Sequence, residues 1–337
     1  MKTNQFIGVD VSKKTLDLAL LNQTGEVQKQ IKLGNDEKSL NTFFGELKKG
    51  DSTFDFSTTV VCLEHTGIYA NILLGYLVKA GANICLESAL QIKRSQGIQR
   101  GKNDKVDALR IAQYAHKNQQ TIRFWAPTRL QVQKLKALLT MRERFIRVCT
   151  QLEVPLNEGD GFTDPAIQKL LIASSKSAIK AMKKSIVKAD QKIAQLIGED
   201  QVLKKQFDLA TSVTGVGPVI AANMIVTTNE FKCITEAKKY ACYSGVAPFG
   251  NTSGTSVKGK PRVSKLANMT MKKLLNMGAV SAIQHSGELK AYYERKIEAG
   301  KKPMSVINAV RNKLISRVFA CIRDQRPYEK LYNPGLA

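Results

Sequence analysis

Four carboxylates set into otherwise apolar segments are the residues of this chain best suited to chemistry. They are Asp10 in FIGVDVSKKTLDLAL, Glu64 in TTVVCLEHTG, and Asp104 with Asp107 in KNDKVDALRIAQYA. An ionised carboxylate among residues suited to burial is costly unless it meets a cation. Hard oxygen donors suit Mg²⁺ or Mn²⁺, and two such ions can stabilise both the attacking and the leaving oxygen of phosphodiester cleavage. We therefore read the four as one divalent-metal site. Each also has a plainer reading. Asp10 would otherwise be a solvated edge-strand residue, but Ile7, Val9 and Val11 surround it, and Gly8 lets a ligand or another backbone come close. Glu64 ends VVCLE, and strand C-termini of α/β sheets present ligand-binding groups. Asp104 and Asp107 are spaced i,i+3 on a helix whose Val106, Leu109, Ile111 and Ala112 are expected to pack inward. For this pair the alternative is an N-cap at Asp104 and a surface ion pair between Asp107 and Arg110.

Composition says what such a metal would act on. The 337 residues carry 52 Lys and Arg against 28 Asp and Glu, a formal net charge of +24, which favours a polyanionic partner. Nucleic acid is the first candidate. A membrane surface is the rival, but no stretch approaches about 18 uninterrupted apolar residues and no lipidation motif is visible. The opening MKTNQFIGVD lacks a secretory apolar region, so a cytoplasmic protein is expected. Six scattered cysteines without a C-x-x-C pair, and only three histidines, argue for reduced, packed thiols and against structural zinc. No P-loop or dinucleotide-binding glycine pattern is present, which disfavours nucleotide hydrolysis.

The elements that must hold the four acids follow from periodicity. Three short segments, Phe6 to Val11, Thr15 to Leu21 and Val27 to Leu33, read as an antiparallel meander. A helix over Glu37 to Lys49, a strand over Thr58 to Leu63, a helix over Ile68 to Lys79 closed by Gly81, and a strand over Ala82 to Leu86 come next. That order predicts an RNase H-like (RuvC-like) α/β domain over residues 1–125. Residues 126–205 predict two long helices around VPLNEGDGFTDP, a helical hairpin or coiled-coil arm. Its expected uses are dimerisation or contact along a nucleic-acid duplex. Residues 206–337 predict a mainly α domain with the strongest charge: 20 Lys and Arg against 8 Asp and Glu, a net of +12.

Two motifs stand out in that last segment. TGVGPVIAA reads as a glycine turn feeding a helix, either half of a helix-hairpin-helix whose N–H groups hold a phosphate or a simple helix start with Pro218 at its first position. Further on, a Gly-, Ser- and Thr-rich run from Tyr243 is expected to form a flexible loop holding hydroxyls beside Lys258, Lys260, Arg262 and Lys265. Those cations could bind phosphate or steady a pentacovalent phosphorane.

Together these blocks resemble the DEDD transposase family of bacterial insertion sequences, which includes Piv-type site-specific DNA invertases. The resemblance implies that the family's acidic tetrad falls on Asp10, Glu64, Asp104 and Asp107. Its C-terminal pattern falls on Gly245 to Pro248, on Ser253-Gly254, and on Ser264, Lys265 and Asn268. It further implies that Ser253 is the nucleophile forming a covalent phosphoserine with DNA. The chain departs from the family at Ala267, where Gly is usual, and at Met271 to Lys273, where an Arg-rich helix start is common. The expected partners are DNA and further copies of the chain in a dimer or tetramer; some relatives are also guided by a structured RNA, and the resemblance leaves open whether this chain is. The expected activity is a Mg²⁺- or Mn²⁺-dependent transposase or invertase. The alternatives are a Holliday-junction-type nuclease using metal-bound water, for which Ser253 is dispensable, and a non-catalytic nucleic-acid-binding protein.

Overall fold

The computed structural model describes residues 3–97, 103–253, 257–264 and 266–329. The chain divides into two compact units, Met1–Pro127 and Thr128–Ala337.

The N-terminal unit is built on a five-stranded mixed sheet. Its strands are β1 (Gln5–Val11), β2 (Thr15–Asn22), β3 (Val27–Gly34), β4 (Thr59–Glu64) and β5 (Asn83–Glu87), in the order β3-β2-β1-β4-β5. β1 and β3 pair antiparallel with β2, while β1, β4 and β5 run parallel. This is the RNase H-like order predicted from the sequence. Alternation along β1 sorts the two faces. Ile7, Val9 and Val11 join a core with Leu40, Phe43 and Phe44 of α1 (Glu37–Gly50) and Leu73, Leu74 and Leu77 of α2 (Asn71–Lys79). Phe6 faces the other way, into a core with Ile92 of α3 (Ala89–Ser95) and Ala108, Ile111 and Ala112 of α4 (Asp104–Lys117).

Gly8 decides how closely α4 can lie on that second face. A Cβ at residue 8 would fall far inside contact distance of the Ala108 carbonyl oxygen and the Ala112 amide nitrogen. The helix backbone thus rests directly on β1, with alanines on its side of the contact. The helix starts one residue from the position expected. Asn103, not Asp104, is the N-cap, accepting from the Lys105 amide, so Asp104 is the first helical residue. Val106 is 40% exposed rather than packed inward, because the buried stripe runs through Ala108, Ile111, Ala112 and Ala115.

In the C-terminal unit, α5 (Leu130–Glu158) and α6 (Pro165–Glu199) pair as a helical hairpin. The base of this hairpin is not a body apart. Val132, Leu135, Leu139, Ile193, Leu196 and Ile197 share one core with α7 (Gln201–Thr211), α8 (Pro218–Thr227), α9 (Ala237–Tyr243), α10 (Met269–His285), α11 (Gly287–Glu298) and α12 (Pro303–Asp324). α5 also continues through Pro155 to Glu158, into the segment where the sequence suggested a break.

One ionic knot ties three joints of this unit. The Arg129 guanidinium, just before α5, bonds Asp200 between α6 and α7 at 2.9 and 3.0 Å, and Glu230 after α8 at 2.9 Å. Lys232 adds a contact to Glu230 at 2.8 Å. Burial pushes the Glu230 carboxyl up, but the hydrogen bonds from Arg129 and Lys232 outweigh it and hold it below its ordinary value. Asp200 is likewise held low, chiefly by Arg129. Asn229, Glu230 and Phe231 all have positive φ, of 48°, 60° and 59°. Three successive non-glycine residues in the left-handed region carry strain, which the surrounding contacts must offset.

Two outcomes follow. Gly8→Ala should destabilise the protein by about 1–3 kcal/mol in urea unfolding, because the new methyl meets helix backbone rather than a movable side chain. Gly75→Ala in α2, where the added Cβ meets nothing within 4 Å, should be neutral or stabilising. Arg129→Met should cost on the order of 3 kcal/mol, the low end for a buried pair, since Arg129 is itself partly in solvent. Because both carboxyls are lowered on folding, their contribution is full above the ordinary carboxylate pKa of about 4 and is lost as pH falls below it. The variant should therefore show a shallower loss of stability between about pH 4 and pH 2 than the wild type. Equal acid slopes would reject the knot as the cause.

Candidate metal centre and serine ribbon

The sheet register lines charged residues up in one transverse row. Lys32 on β3 pairs with Asp17 on β2, and Asp17 pairs with Asp10 on β1. Val9 pairs with Leu63, so Glu64 at the end of β4 lies beside Asp10, and Glu64 pairs with Glu87 on β5. All five share the face that α4 covers, because each stands two residues from a side chain buried there or alternates with one buried on the opposite face. The close approach at Gly8 then brings the first turn of α4, with Asp104 and Asp107, over the row. Two of the acids, Asp17 and Glu87, were not anticipated. The signal was present, since Asp17 is the one charged residue in the mostly apolar run TLDLALL.

The electrostatics match this geometry. The Asp10 carboxyl is raised above its ordinary value, first by burial and then by repulsion from Asp104, Asp107 and Asp17. Lys32 offsets part of this charge, with Nζ 3.1 Å from Asp17 and 3.6 Å from Asp104. Asp107 pairs with Arg110 at 3.0 Å, the surface-pair alternative raised by its spacing. Glu87 accepts from the Tyr114 hydroxyl at 3.2 Å, and burial together with that carboxylate pushes the phenol up to about 12. Among the described residues no group of three or more His, Cys, Asp or Glu side chains closes around a point where an ion would sit. The donor chemistry nevertheless fits a hard divalent cation. The set is all carboxylate, and the repulsion felt at Asp10 is what a cation would relieve.

In the C-terminal unit much of the Ser- and Thr-rich run expected as a loop is strand among the described residues. It forms a two-stranded antiparallel ribbon of β6 (Pro248–Ser253) and β7 (Val257–Val263), in which Ser253 pairs with Val257 and Thr252 with Lys258. Ser253 is the last residue of β6. The side chains of Ser253, Lys258 and Lys260, and the whole of Lys265, lie outside the described residues. Arg262 is exposed on β7. Ser244 is fully buried and donates to the Tyr240 carbonyl at 2.8 Å. Asn268 caps α10 by accepting from the Met271 amide, and its own amide donates to the Tyr243 hydroxyl at 2.8 Å. Gly245 has φ of 67°, and the departure at Ala267 sits against it. The TGVGP turn packs inward: Gly215 lies against Gly278 and Ala282 of α10, and Pro218 is the first residue of α8 after a Gly217 cap.

Comparison with known proteins fits both units. Residues 7–158 match the DEDD-type IS110 domain described as Transposase, and residues 208–294 match the Transposase IS116/IS110/IS902 family. The chain belongs to the IS110/IS116/IS902 transposase family. Members of this family are enzymes that cut and rejoin DNA. The pilin gene-inverting protein of Moraxella lacunata is 26% identical over 96% of this chain and 98% of its own length. An uncharacterised 43.6 kDa protein of insertion element IS110 from Streptomyces coelicolor is 29% identical over 37% of this chain and 31% of its own. The structure of Thermus thermophilus RuvC in complex with a Holliday junction substrate aligns to 36% of this chain and 99% of its own, with 13% identity and a TM-score of 0.28. No described helix of this transposase is long and apolar enough to cross a membrane.

If repulsion at Asp10 is stored in the metal-free protein, Asp10→Asn should raise the unfolding temperature measured in chelator near pH 7, since it removes a charge the fold disfavours. Mn²⁺ should then stabilise the wild type and leave the variant unchanged. A variant less stable than wild type in chelator would contradict this account of the site.

Proposed function

We propose that this transposase cuts and rejoins DNA with two sets of groups, the carboxylates at the end of the N-terminal sheet and the Ser253 hydroxyl on the C-terminal ribbon. The observation that carries the reading is the placement of the acids: Asp10 stands in the sheet row beside Glu64, and the close approach at Gly8 brings the first turn of α4, with Asp104 and Asp107, over that row. The upward shift of the Asp10 carboxyl, from burial first and then from Asp104 and Asp107, agrees with that placement. In this reading Asp10, Glu64, Asp104 and Asp107 hold Mg²⁺ or Mn²⁺. When bound, the cation would supply charge neutralisation at a scissile phosphate. Asp17 and Lys32 then act as supports, Lys32 limiting the charge that accumulates on the row.

Ser253 is the proposed nucleophile. Its oxygen bonds to phosphorus as its proton passes to a base, and a deoxyribose oxygen leaves as the alcohol. The phosphodiester is kept as a phosphoserine, so the reverse attack by a sugar hydroxyl rejoins a strand without an external energy source. Support comes from the family match across residues 208–294. Arg262 on the adjoining strand, with Lys258, Lys260 and Lys265 nearby in sequence, is assigned to DNA phosphates. Near full-length similarity to a pilin gene-inverting protein supports inversion or transposition by strand exchange, which requires two DNA segments and hence more than one copy of the chain. A structured guide RNA would select those segments. The coiled-coil character of the α5–α6 hairpin, and its use in joining copies, belong to the same proposal.

The test is a suicide DNA substrate resolved under denaturing conditions. Wild type should give a protein–DNA adduct with Mg²⁺. Ser253→Ala should bind DNA and form no adduct. Asp104→Asn should bind DNA and reduce cleavage by at least about a hundredfold, the loss of roughly 2.7 kcal/mol of transition-state stabilisation. Cleavage by wild type with no adduct would transfer the chemistry to a water nucleophile, as in the resolvase-like alternative. An adduct surviving Ser253→Ala would move the nucleophile elsewhere.

A further inference from the structure

The C-terminal unit contains a cavity of about 330 Å³ walled by α5, α8, α9 and α10. Its chemistry differs from that of the surrounding protein. In a chain of net charge +24, the two charged groups lining it, Lys136 and Glu143, cancel. The rest of the polar lining is neutral: the amides of Asn223 and Asn268, and the hydroxyls of Thr140, Thr227, Thr270 and Tyr243. A pocket for a bare phosphate would be lined by cations or free N–H groups. This one offers paired donors and acceptors beside an aromatic ring.

The polar groups are held rigidly. Asn268 donates to the Tyr243 hydroxyl at 2.8 Å, which leaves the phenolic proton to be given elsewhere. Thr227 is fixed between the Asn223 carbonyl at 2.6 Å and the Tyr240 hydroxyl at 2.9 Å. Asn223 spends one amide hydrogen on the Val219 carbonyl at 2.8 Å, so its side chain is oriented in the wall. Thr270 reaches Glu143 at 3.4 Å across the mouth. Asn268 also caps α10 by accepting from the Met271 amide, so its side chain is fixed at both ends.

We propose that this cavity takes a single unstacked nucleobase of the nucleic-acid substrate. A planar, neutral group with mixed donors and acceptors is what side-chain amides read bidentately and hydroxyls singly, and the Tyr243 ring adds apolar contact. Enzymes that do chemistry on a base hold it, once out of the stack, by hydrogen bonds to its edge and contacts to its faces, and the same physics would hold a base that is only being gripped. The inference rests on nucleic acid being the substrate but on neither Ser253 nor the acidic row, so it can fail while that chemistry stands.

The experiment uses the full chain and free ligands. Each of the four deoxynucleoside 5′-monophosphates, and deoxyribose 5′-phosphate as the baseless control, is titrated by calorimetry at fixed salt. At least one nucleotide should bind tenfold or more tightly than the sugar phosphate. Asn223→Leu, which keeps the volume and removes the amide, should weaken that nucleotide at least tenfold. Lys136→Met should change it less than threefold. Unchanged thermal unfolding establishes that each variant is folded, and Asn223→Ser replaces Asn223→Leu if it is not. Equal binding of nucleotide and sugar phosphate, no nucleotide binding at all, or normal binding by the folded Asn223 variant would overturn the proposal.

Discussion

The contact between Gly8 and the backbone of α4 is the constraint on which the N-terminal unit depends. Most helices sit on a sheet through side chains at about 10 Å. Here a strand residue without a side chain meets a helix stretch carrying Ala108 and Ala112, so the backbones themselves touch. That approach has no slack, since both partners are main chain. It fixes the height of α4, and with it the distance between the end of β1 and the first turn of the helix. A wider gap would leave Asp10 with its sheet neighbours and leave Asp104 and Asp107 as an ordinary acidic helix start, which their favourable position near the helix N-terminus would suit equally well.

Much of this was legible in advance because it follows from period-two alternation. Once three strands pair as a meander and the next two join in parallel, the acid at the end of each strand must stand on one face, and the register aligns them. The sequence could not reveal which side chain in a strand would be opposite which. Asp17 was therefore missed although it stands directly across from Asp10. Val106 was misplaced for a related reason. Its type suits burial, but the stripe that buries is set by the small residues that let α4 approach β1, and Val106 lies off that stripe.

The C-terminal unit was less legible because its constraints are long-range. Gly, Ser, Thr and Lys in sequence read as loop, and only pairing between Pro248–Ser253 and Val257–Val263 makes a ribbon of them. Likewise, nothing local to Arg129 announces partners 71 and 101 residues away. A run of three left-handed residues at Asn229 to Phe231 is unpredictable from residue types that ordinarily avoid that region, and it persists where buried contacts over-determine it. The helical hairpin was the exception, since long 3.6-residue periodicity survives without knowledge of its surroundings. Its continuity with the rest was not foreseeable, because the residues at its base complete a core supplied mostly by later helices.

The uneven distribution of charge gives the proposed metal a second physical purpose. A chain of +24 draws a polyanion toward itself from a distance, and the excess is greatest in the residues after 205. The groups proposed to act on phosphate lie where that attraction is locally reversed, in a row with four carboxylates and one lysine, overhung by two more acids. A phosphate 4 Å from a single carboxylate is repelled by about 1 kcal/mol in water and by several times that at the lower effective dielectric of a partly buried site. No arrangement of distant lysines cancels repulsion at that range, because their fields are screened within about 8–10 Å at physiological salt. Lys32 and Arg110 each offset part of the charge on Asp17, Asp104 and Asp107; a cation seated among the acids, as proposed, would offset the rest. In that reading the basic excess would draw DNA from a distance, and the bound cation would make the acidic row acceptable to a phosphate.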